Sequence, residues 1–208
     1  GSYKANIGKV LNRGVELSLN AYLVRSGERG IYWSVGGTLL YNKNEIKEIS
    51  NSLEFLNDEL LESDGSNPSF LFKEGQSMNT IFAVQSLGID PANGKEIYRK
   101  ADGHTLTYTW DAKDKVACGV KDPKVWGNFN TMFRYKGWML NAIFSYRCGG
   151  QMYNSTLANK VENIHPINNA DKRVLYDRWK NPGDHAKYKG VTDLSTTQAT
   201  SRFVADEN

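Results

Sequence analysis

Along residues 15–24 apolar and polar side chains alternate: Val15, Leu17, Leu19, Ala21 and Leu23 fall on one side, Glu16, Ser18 and Asn20 on the other. A period of two with a wet opposite face predicts a β-strand. The polar stretch 25–30 then predicts a turn, and residues 31–41 predict the returning strand, with Ile31, Trp33, Val35, Leu39 and Tyr41 on one face. A second hairpin follows over residues 129–147. Phe129, Phe133 and Tyr135 oppose Asn130, Arg134 and Lys136, while Trp138, Leu140, Ala142, Phe144 and Tyr146 oppose Asn141, Ser145 and Arg147. Lys136-Gly137 is the expected two-residue turn, since Gly supplies the positive φ such a turn requires.

Between and after the hairpins the pattern weakens. Residues 42–128 carry turn-formers such as Asp64-Gly65-Ser66-Asn67-Pro68 and Asp90-Pro91-Ala92-Asn93-Gly94, with short strands expected near 80–86 and 96–99. Residues 148–201 hold one expected helix over 171–179, ended by Pro182. The predicted organisation is therefore a loop over 1–14, a hairpin over 15–41, a long excursion over 42–128, a hairpin over 129–147, a second excursion over 148–201 and the start of a strand over 202–208.

Composition sharpens this into an all-β expectation. Aromatics make up 12% of the chain against 39% hydrophobic residues overall, and glycines are spread throughout. No apolar run reaches the roughly 18 residues of a membrane helix, yet a membrane strand needs only about 9–11 alternating residues. The aromatics also cluster at the ends of the apolar stripes: Tyr135 and Trp138 beside one turn, Tyr41 and Tyr146 at the far ends. Aromatic ends around an aliphatic middle match the girdles of an outer-membrane barrel. Connection lengths agree, because short turns and long excursions alternate as they do between the two sides of such a barrel. This places both long segments outside the cell.

Charge and motifs exclude more than they assign. Twenty-six basic and 23 acidic residues form no phosphate-binding stripe, so no nucleic-acid partner is expected. Asp102, Asp111 and Asp114 do not fit a calcium loop, and His104, His165 and His185 lack metal spacing. No nucleophile elbow, phosphate loop or zinc-protease helix occurs, so neither a cofactor nor catalysis is expected. Cys118 and Cys148 fit either two unrelated small apolar residues or an extracellular disulfide. Flat aromatic faces suit sugar rings, which makes Trp110, Tyr108, Trp126, Tyr153 and Trp179 the candidate substrate-binding residues, with Asp111, Asn154 and Asn181 as polar neighbours. Each also suits plain packing of the excursions.

Seven short motifs in order carry a resemblance. Asn6-Ile7-Gly8 with Asn12-Arg13-Gly14-Val15-Glu16, Gly88-Ile89-Asp90-Pro91 with Gly94 and Tyr98, Asp122-Pro123-Lys124 with Gly127, and Tyr135-Lys136-Gly137-Trp138 come first. Gly149-Gly150-Gln151-Met152-Tyr153-Asn154, Arg178-Trp179-Lys180-Asn181-Pro182-Gly183-Asp184 and Ser201-Arg202-Phe203-Val204 follow. Together they resemble the C-terminal half of the SusC/RagA transporters, the TonB-dependent family of Bacteroidetes. The resemblance implies a large barrel that takes up oligosaccharides or peptides, with a SusD-like surface lipoprotein as lid. It also implies energy from TonB, received through a plug-bearing N-terminal part expected outside this chain. A soluble carbohydrate-binding β-sandwich is the alternative, in which the apolar faces of the two hairpins close on each other; a secreted glycoside hydrolase module is a third reading.

Overall fold

The computed structural model describes residues 8–28, 30–62, 67–69, 71–165, 167 and 169–207. Asn6 and Ile7 of the first motif and Asp64-Gly65-Ser66 lie outside the described residues. Two long strands, β1 (Gly8–Ser26) and β2 (Ile31–Ile49), are followed by helix α1 (Asn51–Glu62). Four shorter strands come next: β3 (Thr80–Ile89), β4 (Glu96–Arg99), β5 (Leu106–Thr107) and β6 (Lys115–Val120). Then come β7 (Val125–Tyr135), β8 (Trp138–Cys148), β9 (Gln151–Tyr153) and β10 (Val204–Asp206).

The two expected hairpins are neighbours in one antiparallel sheet of order β1-β2-β7-β8. Register fixes which side chains share a face. Leu17 pairs with Leu39, which pairs with Gly127, which pairs with Tyr146; Leu19, Gly37, Phe129 and Phe144 form the adjoining row of the same face. Val35, Trp33, Phe133, Leu140, Tyr135 and Trp138 continue that face toward the turns. The opposite face carries Ser18, Thr38, Asn128 and Ser145 in one row and Asn20, Gly36, Asn130 and Ile143 in the next. Gly36 is needed there, since a Cβ would collide with the Asn20 amide that folds over it.

The apolar face covers no core. Leu17, Leu19 and Leu140 are 49%, 65% and 61% exposed, and Phe133 is exposed as well. A sandwich would bury them, so the alternative in which the hairpin faces close on each other is corrected. From Ile31 to Tyr41 the strand takes ten steps, about 33 Å at roughly 3.3 Å each. A tilt of about 40° turns this into about 25 Å, the height of the apolar band in membrane barrels. Beyond Tyr41 the same face becomes charged, with Arg13 opposite Lys43 and Leu11 opposite Glu45.

Several boundaries differ from expectation. Residues 8–14 and 42–49 extend the first hairpin well past its apolar stripe, and residues 125–128 belong to β7. These ends escape a pattern search because charge replaces the apolar half of the alternation. At the turn of β7 and β8, Lys136 and Gly137 have φ of 44° and 85°, both positive as a type I′ turn demands.

The excursions build their own interior. A second sheet of order β5-β4-β3-β6 centres on β3, where Ile81, Phe82, Ala83 and Val84 are buried, and β9 pairs with β10. Helix α1, absent from the sequence pattern, packs by Leu53 while Asn57 uses its amide to satisfy both the N–H and the carbonyl of Phe72. The expected helix over 171–179 shrinks to a single 3-10 turn, Lys172–Leu175. Asp171 caps it, Asp177 turns to positive φ, and Arg178 becomes extended, bridging to Tyr188, because its guanidinium is drawn to the carbonyls of Val161, Glu162 and Lys189.

Candidate functional site

Tight turns occupy one end of the four-stranded sheet and both excursions the other. The junction between wall and excursion is where the polar face, the extended end of β2 and the Asp122-Pro123-Lys124 segment meet. Asp122 ties it together. Its carboxylate accepts from Asn44 Nδ2 at 2.6 Å, Asn79 Nδ2 at 2.8 Å and Ser77 Oγ at 3.0 Å, and Asn44 Oδ1 in turn accepts the backbone N–H of Met78. A charge-assisted latch of this kind fixes the excursion to the wall more firmly than neutral hydrogen bonds do.

Two adjoining cavities open around the latch. The larger, about 730 Å³, is lined by Lys43, Gln76, Lys124, Gln151 and Asp206 among others, and the smaller, about 340 Å³, by Trp126 and Arg147; both share Asn42, Asn44, Asp122 and Pro123. Trp126 is half-buried and stands on the polar face, directly across the register from Arg147. Its indole N–H finds no acceptor among the described residues, and neither does the Asn42 amide find a partner there. Among the described residues the Arg147 side chain makes only a 3.8 Å ion pair, with Glu207.

Trp126 was expected in an outer loop and instead sits in strand β7, because the wall strand begins four residues earlier than its stripe suggests. The other four aromatics lie in the excursions. Tyr108 is exposed and donates to Asp90 Oδ2 at 2.5 Å, which holds the Asp90 carboxyl below its usual range. Trp110 donates to the Ala199 carbonyl at 3.1 Å, with the Lys115 ammonium 5.7 Å from its ring. Tyr153 packs edge-on against Phe203, and burial pushes its hydroxyl up to about 12. Trp179 donates to the Pro91 carbonyl at 2.9 Å and lies over Gly94, where a Cβ would stand 2.6 Å from the ring. Asp111 and Asn154 cap local turns, and the Asn181 N–H donates to Asp184.

A buried charge cluster joins three of the sequence motifs. Arg202 donates to Glu96 Oε2 at 2.8 Å and to Glu162 Oε1 at 2.7 Å, and the Tyr98 hydroxyl reaches Glu96 at 3.3 Å. Arg178 approaches the Glu162 carbonyl at 3.1 Å. Burial, then the Glu96 charge, pushes the Tyr98 phenol far above its usual range. Sequence reading did not single out Glu96, Glu162 or Arg147 as site residues; of these, Arg147 was traceable from its polar-face position one residue from the end of the strand. Cys118 and Cys148 are both free, Cys118 half-buried beside the Ala83 carbonyl and Cys148 exposed. No helix among the described residues is long and apolar enough to cross a membrane, which says nothing of a β-barrel.

No family model matches the chain. Among curated proteins it is similar to three TonB-dependent receptors of Formosa agariphila. It is 25% identical to receptor P39 over 99% of this chain and 23% of that protein. It is 26% identical to P26 over 97% of this chain and 21% of that protein, and 23% identical to P3 over 73% of this chain and 16% of that protein. The chain thus spans less than a quarter of the length of these relatives. In fold it is similar to the RagAB peptide transporter, with a TM-score of 0.74 at 20% identity over 97% of this chain and 22% of that one. The RagAB importer in a closed-closed state gives 0.73 over the same share.

Proposed function

We propose that this chain, similar to TonB-dependent receptors and in fold to the RagAB transporter, supplies barrel wall and outer excursions to an outer-membrane receptor of the SusC/RagA kind that imports an oligomeric nutrient, an oligosaccharide or a peptide. The observation that carries this reading is the one-sided apolar face running across four strands. It is about as tall as a bilayer core and has aromatic ends, with tight turns at one edge and folded excursions at the other. Tight turns belong on the periplasmic side and the excursions outside the cell.

In this reading the apolar face meets outer-membrane lipid, the polar face lines the lumen, and the excursions meet nutrient and a SusD-like lipoprotein lid. TonB acts through a part of the receptor outside this chain, and the work is binding and passage without catalysis. Of the five aromatics, Trp126 is placed against the nutrient, since it lines a cavity with an unused N–H donor. Tyr108, Trp110, Tyr153 and Trp179 hold the excursions together through the contacts described above. The test offers fluorescent oligosaccharide and peptide pools to cells with and without the full-length receptor. Receptor-dependent accumulation that stops when the proton-motive force is collapsed is expected; equal accumulation without the receptor overturns the reading.

A further inference from the structure

We infer that the junction cavities bind an acidic glycan, with the carboxylate of a uronic acid residue on Arg147 and its pyranose ring on Trp126. The inference rests on the uptake reading and names the substrate class of the same site. Its starting point is an imbalance between charges that are engaged and charges that are free. The cavities are lined by two cations on the side of the polar face, Lys124 and Arg147, and by two carboxylates, Asp122 and Asp206; Lys43, also in the lining, belongs to the opposite face of β2.

Both carboxylates already have donors. Asp122 accepts from Asn44, Ser77 and Asn79, and Asp206 accepts from Gln151 Nε2 at 3.2 Å. The cations are left with little: among the described residues the Arg147 side chain has only its 3.8 Å contact with Glu207, and the Lys124 ammonium donates no hydrogen bond. An anionic guest therefore meets donors that are not already committed, and a guanidinium grips a carboxylate by two parallel hydrogen bonds.

The shape of the site selects among anions. Trp126 presents a flat indole beside Arg147, with the free Asn42 amide on the same face. A ring that is apolar on one face, edged with hydroxyls and bearing a carboxylate uses all three groups. An extended peptide recognised by strand addition needs an open strand edge. None is offered at Trp126, because β7 is paired on both sides, with Leu40 of β2 and Arg147 of β8. Combined cavity space of this order accommodates a short oligomer.

The experiment is calorimetric titration of the full-length receptor in detergent with trigalacturonate, trimannuronate, the methyl esters of both, and triglutamate. At least one uronate is expected to bind about tenfold more tightly than its ester, the scale of one charge-assisted contact. Arg147→Gln should reduce that uronate to the level of its ester and leave the ester unchanged, whereas Trp126→Leu should weaken acid and ester alike, because stacking ignores the charge. Equal binding of acid and ester, or no effect of Arg147→Gln, overturns the acidic-glycan assignment and leaves nutrient uptake standing. Preference for triglutamate overturns the glycan class. Binding of none of the five overturns the inference, while the labelled-pool assay separately decides uptake.

Discussion

The four-stranded wall and the excursions are made of the same residue types and treat them in opposite ways. In the wall, Leu19 and Phe144 point away from the protein, on a face that nothing among the described residues covers. In the excursions, Leu71, Phe82, Val84 and Val161 are buried completely or nearly so. Charges invert as well. Lys9 and Glu48 pair in the open at the end of the wall, whereas Glu162 is buried against Arg202 inside the excursion. The difference teaches that one chain is folded for two solvents: hydrocarbon stands in for the missing core along the wall, and the excursion supplies its own core in water.

The largest expected effect tests the excursion. Arg202→Met leaves Glu96 and Glu162 buried without their shared cation, at a cost of about 3–5 kcal/mol. Limited proteolysis should then cut within residues 80–120 and 151–204 and spare the wall strands β7 and β8 between them; an unchanged cleavage pattern would show that the cluster does not hold the excursion. Next comes the wall. Phe144→Arg, near the middle of the band, should destabilise insertion by about 2–4 kcal/mol. Its neighbour Ser145→Arg, on the polar face, should stay within about 0.5 kcal/mol. Equal effects in urea unfolding from vesicles would erase the distinction between the faces.

A smaller effect is expected at Gly94, where φ is +72° and the Trp179 ring closes the space above it. Gly94→Ala should cost about 1–3 kcal/mol, read as a lower midpoint for exposure of Trp179 fluorescence. The smallest is local and depends on pH. The Asp102 carboxyl is held down to about 2, first by the Thr105 hydroxyl and then by the Thr105 and His104 N–H groups. Because its folded value lies below the ordinary one near 3.9, its support for the 102–105 turn is present above about pH 4 and is lost as pH falls through about 2. Amide shifts of His104 and Thr105 should follow that titration; shifts that stay flat as pH falls from about 4 to about 2 would show that the Asp102 carboxylate does not hold the turn.

Much of the wall was legible, because alternation, a Lys-Gly turn and aromatic ends are local properties of a strand in hydrocarbon. Even the shared face of Leu17, Leu39 and Phe129 follows from it. The excursions were legible only in part. The apolar run of residues 80–84 announces β3, buried on both faces, but β6 hides behind Lys115, whose ammonium is buried on the Leu60 carbonyl and Ser69 Oγ. Helix α1 hides because Asn57 takes an inward position that a period search reserves for an apolar residue, while Phe55 is exposed. The helix expected over 171–179 was lost to a long-range demand, the call of buried carbonyls on Arg178. At the site, Trp126 was visible as an aromatic and Arg147 as a polar-face residue of its strand; that the two stand side by side emerges only from the register.

The measurement that bears most directly on the two-solvent account is a site-directed spin-label scan of residues 128–133 and 140–145 in the full-length receptor, reconstituted in lipid vesicles. Positions 129, 131, 133, 140, 142 and 144 are predicted to relax with lipid-soluble oxygen, and positions 128, 130, 132, 141, 143 and 145 with a water-soluble nickel chelate. Both series responding alike to the chelate, with no alternation along either strand, would contradict it.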